Sequence, residues 1–295
     1  MKQSTKGLLM VIISGLVFGA GPFVVKTAYQ EGARPEIFIF FRYASLSLVL
    51  LPFVLKKKSV FKAFSKHIGV FLLLAALSIA TPLLLYLDYN FMSTSIATTI
   101  HFLYPALVAV ISVVFLREKL SARRLISVLL CGAGIVLMME FGGQITLPGV
   151  LIAAASALTW AVYIVVLSRL KEPEMGTEHI LFFIAVLSFV LITTVMLLDG
   201  AFADCVRHMT PLGWLLSAGM GLVTSVFGVA FFAFGVRKTD AQLAAIASTL
   251  EPIACVVLGI ILLGESFSLR TGIGAVLILS AVILLAWPRK EISAA

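Results

Sequence analysis

Residues 104–123, YPALVAVISVVFLREKLSAR, and residues 251–270, EPIACVVLGIILLGESFSLR, carry one layout twice. Pro105 precedes Glu118 by thirteen residues, and Pro252 precedes Glu265 by thirteen. At a constant offset of 147, Leu116 matches Leu263, Ser121 matches Ser268 and Arg123 matches Arg270. A membrane chain that repeats itself is usually built around a site between its two halves.

Composition fixes the solvent. Hydrophobic residues make up 61% of the 295, charged residues 12%, and the mean hydropathy is +1.13. A soluble domain carries about twice that charge. Ten apolar stretches of spanning length follow: 7–28, 36–55, 68–89, 94–115, 123–140, 148–169, 178–198, 212–236, 241–263 and 270–287. Each is near the ~20 residues that the hydrocarbon core requires. Helices are expected, because lipid cannot satisfy an open sheet edge and a barrel would show short alternating segments. Pro35, Pro148 and Pro211 fall where helices begin, and Pro288 follows the last. Pro22, Pro82, Pro105 and Pro252 fall inside spans, as helix breaks lining a cavity or as simple kinks.

Basic residues set the orientation. With the N-terminus inside, alternating loops place seventeen Lys and Arg inside and three outside, Arg34, Arg207 and Arg270, while Lys26 and Arg42 lie within spans. Both termini are therefore expected in the cytoplasm, as for a multi-pass protein of a cell membrane, here a bacterial inner membrane. The net charge of +8 is then an orientation signal and argues for no nucleic acid. The run after Lys2 and Lys6 is too long for a signal peptide and reads as a retained first helix. Cys131, Cys205 and Cys255 give neither a disulfide framework nor zinc spacing, and no P-loop, GxSxG or HExxH motif occurs, so no metal or cofactor is expected.

The fold class expected is an all-α membrane protein of ten transmembrane helices in two inverted five-helix repeats, residues 1–142 and 143–295. Ser14–Gly15–Leu16 aligns with Ser156–Ala157–Leu158 at an offset of 142, which sets Phe18 opposite Trp160. Five spans per copy is odd, so the copies sit upside down relative to each other. The basic loop around Arg117 and Arg124 and its counterpart Glu265–Arg270, with one basic residue, agree with this. Such a repeat gives inward-open and outward-open states of similar energy.

The opening Gly15–Leu16–Val17–Phe18–Gly19 and the two proline…Leu-Gly-Glu segments, 104–120 and 251–267, resemble the drug/metabolite transporter superfamily in its ten-helix EamA-type branch. The resemblance covers residues 7–287. Arg117, where the pattern usually has glycine, and Lys26 in the first span depart from it. The resemblance implies a secondary transporter of amino acids and other small metabolites, commonly outward, and does not identify the substrate.

Ionisable groups inside spans are functional hypotheses by default. Glu251 lies about ten residues, or ~15 Å, into its span and precedes Pro252. It suits a substrate amine or a coupling proton, with a structural carboxylate as the competing reading. His101 and Tyr104 are three apart on one face, and Tyr104 is the repeat partner of Glu251. Trp160, Phe18 and Tyr163 are the candidate aromatic lining, or plain packing. Lys26 and Arg42 are candidates to pair with Asp88 as an outer gate beside Tyr89, or to snorkel to headgroups. Glu118 and Glu265 read as helix-end pairing groups. The expected partners are a small-molecule substrate, the lipid bilayer and protons as a candidate coupling ion, with the oligomeric state open. Two other classes compete: a lipid flippase on the same fold, which a lateral opening to the bilayer would favour, and a membrane-embedded enzyme, for which no nucleophile–base pair or metal cluster is evident.

Overall fold

The computed structural model describes residues 3–57, 59–89, 91, 94–118, 121–138, 146–263 and 269–286. Glu265 and the chain after Ala286 lie outside them, as do the side chains of Pro22, Lys26 and Cys255. Every regular element described is helical. In chain order they are α1 Gln3–Gly19, α2 Gly21–Gln30, α3 Pro35–Leu55, α4 Val60–Lys66, α5 Ile68–Asp88, α6 Thr94–His101, α7 Tyr104–Val114, α8 Ala122–Met138, α9 Leu147–Arg169, α10 Thr177–Leu198, α11 Ala201–His208, α12 Pro211–Val223, a π-helical turn Thr224–Ala230, α13 Phe231–Lys238, α14 Ala241–Ser248, α15 Leu250–Leu263 and α16 Leu269–Ala286.

Six helical runs among the described residues are long and apolar enough to cross a membrane: Thr5–Gln30, Pro35–Leu55, Ile68–Asp88, Leu147–Arg169, Thr177–Leu198 and Pro211–Lys238. Their boundaries follow those expected from sequence within a few residues. The other four expected stretches appear as shorter pieces, α6 with α7, α8, α14 with α15, and α16. The short helices α4 and α11 lie in the connections and give no spanning signal. The perimeter is apolar, with Leu48, Phe115, Leu198 and Leu215 each at least two-thirds exposed, as a lipid-facing surface requires.

Helix starts follow side-chain chemistry. Thr146 and Thr210 each accept from a backbone N–H three residues on, at 3.2 Å, with Pro148 and Pro211 in the first turn; Asp240 caps Leu243 at 2.9 Å. The prolines inside spans behave differently from one another. The chain breaks at Ala20 before Pro22, at Phe102–Leu103 before Pro105 and at Thr249 before Pro252. Pro82 stays inside an unbroken α5. The carbonyl it leaves without a helical donor is that of Ser78, and the Tyr43 hydroxyl from α3 donates to it at 3.0 Å.

Helices pair across the two halves of the chain. α3 packs on α10 and α8 on α16; α1 packs on α13, α14 and α15, and α9 on α5, α6 and α7. At the α8–α16 contact a Cβ on Gly134 would fall 2.6 Å from the Gly274 carbonyl, so the backbones meet without side chains between them. The connections gather at two ends. At one, Arg34 Nη1 donates to Asp204 at 2.8 Å and pairs with Asp199 at 3.5 Å, Thr210 bonds Glu31, and Thr146 bonds the Phe91 carbonyl. At the other, Glu118 pairs with Arg124 at 3.3 Å and with Arg169, Arg124 reaches Asp240 at 3.7 Å, Lys57 donates to the Glu174 carbonyl, and His67 meets Glu172 at 2.9 Å.

Candidate functional site

Between the halves lies a cavity of about 90 Å³, room for a few waters, well below the ~300 Å³ of a typical ligand pocket. It runs along α5 from Ser78 through Thr81, Pro82 and Leu85 to Tyr89 beside the helix end, eleven residues or ~16 Å. Its aromatic wall is Trp160, stacked on Tyr163 at 5.1 Å and on Phe232 at 4.9 Å. Tyr163 and Phe232 stand six residues from the ends of α9 and α13, on the side of the Glu118–Arg169 pairs. Sequence reasoning placed Trp160 and Tyr163 here; Phe232 it missed, because a phenylalanine in a phenylalanine-rich span carries no distinguishing signal.

Arg42 lines the same cavity, 6% exposed. Its Nε donates to Thr224 Oγ1 and its Nη2 to the Tyr86 hydroxyl, both at 3.3 Å, and its guanidinium stands 5.6 Å from the centre of the Phe18 ring. The backbone holds it in place, because Ser225 donates to the Arg42 carbonyl. Both Thr224 and Ser225 belong to the π-helical turn, a distortion that often marks functional positions. Phe18 is seated by Gly228 of that turn, where a Cβ would lie 2.8 Å from the ring.

Glu251, half-buried at the start of α15, faces the cavity from the opposite side of the sequence repeat. It is within electrostatic reach of Arg42 and of Tyr104. His101 also lines the cavity, and its role follows from its neighbours. Ser156 donates its one hydroxyl hydrogen to the Thr81 carbonyl at 2.9 Å, so it accepts from His101 Nδ1 at 2.9 Å. A neutral His101 then carries its lone pair on Nε2. Tyr104 stands behind the wall, 1% exposed, with its hydroxyl 2.6 Å from Ser248 and in hydrogen-bonding reach of Trp160.

Two of the three residues suggested as an outer gate, Arg42 and Asp88, are described by the structure and form no pair there. Arg42, seven residues from the start of α3, bonds Thr224 and Tyr86 and makes no ion pair with Asp88 among the described residues. Asp88, last in α5, is fully covered, and neither carboxylate oxygen has a hydrogen-bond partner among the described residues. The Lys26 side chain lies outside the described residues. Thr224, Tyr86 and Tyr43 were missed; Thr224 and Tyr86 reach the arginine from other helices, which sequence cannot supply, whereas Tyr43 follows Arg42 directly and that adjacency was its signal. Outside the spans, the hydrogen bond to Glu36 raises the Arg34 guanidinium further above its ordinary pKa, and burial pushes the Cys205 thiol up.

A second, apolar crevice of about 270 Å³ lies between the α1–α2 break and α12, walled by Val17, Ala20, Val24, Leu215 and Val223. It shares Gly21 and Met220 with the central cavity.

Comparison with known proteins matches the chain twice to the EamA-like transporter family, over residues 5–140 and 147–287. It is 26% identical over 298 residues to the uncharacterized inner membrane transporter YicL of Salmonella typhimurium, covering 97% of this chain and 96% of that one. It is 22% identical over 292 residues to an uncharacterized transporter of Clostridium kluyveri, covering 95% and 92%. A solved structure at 18% identity superposes with a TM-score of 0.78 over 95% of this chain and 97% of its own, a likeness of fold. With two matches spanning nearly its whole length, the chain belongs to the EamA-like transporter family.

Proposed function

We propose that the protein is a secondary transporter that exports small metabolites, amino acids or related compounds, by alternating access across the bacterial inner membrane. In this reading ten spans form two inverted repeats, residues 1–142 and 143–295, with both termini in the cytoplasm. One hydrogen bond made twice supports the repeat. Ser14 donates to the Gly228 carbonyl at 2.9 Å, and its counterpart Ser156 donates to the carbonyl of Thr81, the counterpart of Gly228. The chain also breaks at matching points, Phe102 and Thr249.

The observation that carries the reading is the cavity between the halves, lined by a carboxylate and a guanidinium at membrane depth. Charge there is costly and is kept for substrate or ion handling. Glu251 takes the substrate ammonium or a coupling proton, Trp160 with Phe232 takes the apolar body, and the ion pairs around Glu118 close the cytoplasmic end. In proteoliposomes, Glu251→Gln and Trp160→Ala abolish transport, on the order of 100-fold, while the protein stays folded and monodisperse. Normal transport by both variants sinks the site.

Lipid or lipid-linked substrate flipping on the same fold has one observation in its favour, the apolar crevice that shares the lining residues Gly21 and Met220 with the central cavity. Reconstituted protein that exposes fluorescent inner-leaflet lipid to a membrane-impermeant quencher would replace the metabolite reading. A membrane-embedded enzyme has no such observation behind it.

A further inference from the structure

Arg42 is a buried guanidinium with unfinished business. It offers five N–H donors, and its two hydrogen bonds among the described residues go to neutral hydroxyls at 3.3 Å, long for such bonds. Thr224 is itself committed to the Met220 carbonyl at 2.8 Å. A guanidinium at membrane depth normally takes an anion. Within 4 Å of Arg42 there is no carboxylate among the described residues, although Glu251 lines the same cavity and acts on it electrostatically. The Glu251 carboxyl group and the Arg42 guanidinium stand apart in one cavity, which leaves a gap for a ligand that bonds both. Hydroxyl partners at that length yield readily to carboxylate oxygens, because a bidentate Arg–carboxylate pair is shorter and about twice as strong. The Phe18 ring against the guanidinium and the Ser225 bond to the Arg42 carbonyl keep the fork in position.

We infer that Arg42 docks a substrate carboxylate, so that the transported compounds are small carboxylates whose apolar part rests on Trp160 and Phe232. The inference rests on the transporter reading of this cavity. It excludes amines and nucleosides lacking a carboxylate, and it makes Arg42 a binding residue in place of a gate post.

The test uses the purified full-length chain in nanodiscs and follows its thermal stability, since ligand binding raises it. Probes come in matched sets: each of L-phenylalanine, L-leucine and L-methionine beside its methyl ester and its decarboxylated amine, together with 3-phenylpropionate, pyruvate and succinate. At least one carboxylate raises Tm, and its ester or amine binds on the order of 30-fold more weakly. Arg42→Lys, which keeps the charge and loses the fork, weakens the acid at least about 10-fold and leaves the ester unchanged. The acid–ester comparison on the unaltered protein stands even if that variant does not fold. Esters or amines binding as well as their acids overturn the inference and leave the cavity as the transport site. A panel in which no carboxylate shifts Tm overturns it too. Failure of the transporter reading shows separately, as binding or transport indifferent to Trp160→Ala.

Discussion

The two halves make the same bond with the same residue and then part company. Ser14 and Ser156 each reach the carbonyl of the matching residue in the opposite half. Yet the first span breaks at Ala20, while α9 runs unbroken through Val162, its counterpart. The turn Thr224–Ala230 is π-helical, while its counterpart, residues 77–83, is regular α-helix even with Pro82 in it. A shared contact fixes how the halves dock, and unshared backbone geometry fixes what each half presents to the cavity. The first half has Gly21 and Pro22 to loosen its opening span. The second has Gly221 and Gly228, which let α12 and the π-turn press against α3 and Phe18. Under the proposed alternating access, such a difference between the two halves is what one state requires.

The largest break in this comparison comes at Gly228. Its counterpart Thr81 already carries a side chain and bonds Thr159 at 2.9 Å. Gly228→Val drives a Cβ into the Phe18 ring, displaces that ring from beneath Arg42 and costs about 1–3 kcal/mol of stability with loss of transport. Thr81→Val in the other half gives up a hydroxyl bond and costs about 1 kcal/mol. Thermal denaturation with a transport assay separates them; equal effects at both positions would mean that the π-turn is not special.

The serines sharpen it next. Ser14→Ala loses one hydrogen bond, about 0.5–1.5 kcal/mol. Ser156→Ala loses the same bond and also strips the acceptor from His101 Nδ1–H, which is 7% exposed, adding the ~1–3 kcal/mol cost of an unmet buried donor. A larger loss at Ser156 than at Ser14 is expected in thermal unfolding. Matching losses would show that His101 finds another partner.

Much of this layout is legible in the chain. Composition and the length of the apolar runs outlined the six long spans, prolines marked helix starts, and the offset of 147 drew attention to Glu251, which lines the cavity. The sequence could not show that Pro82 leaves α5 whole while Pro22, Pro105 and Pro252 accompany breaks, because the difference lies in Tyr43, a residue on another helix that takes up the Ser78 carbonyl. Nor could it seat Arg42. An arginine seven residues into a span looks the same whether it snorkels outward or is drawn inward by Thr224, Tyr86 and Phe18, none of which neighbours it in the chain.

The smallest expected effect lies at the ends of the bundle. Glu118 pairs with Arg169 of the second half and with Arg124 of its own half, which in turn reaches Asp240, and the Glu118, Arg124 and Arg169 side chains are between one-quarter and just over one-half exposed. Solvent screens such pairs, so each contributes about 0.2–1 kcal/mol. Glu118→Gln therefore barely moves Tm. Under the proposed alternating access these pairs belong to the state closed at this end, so their loss raises the population of the opposite state about two- to five-fold. A cysteine placed at Tyr163, on the wall nearest that end, should react faster with an impermeant thiol reagent supplied from the Glu118 side. The same substitution at Glu36, which pairs with Arg34 at the other end, should leave that rate unchanged. Faster labelling after both substitutions would mean that the two ends do not open in turn.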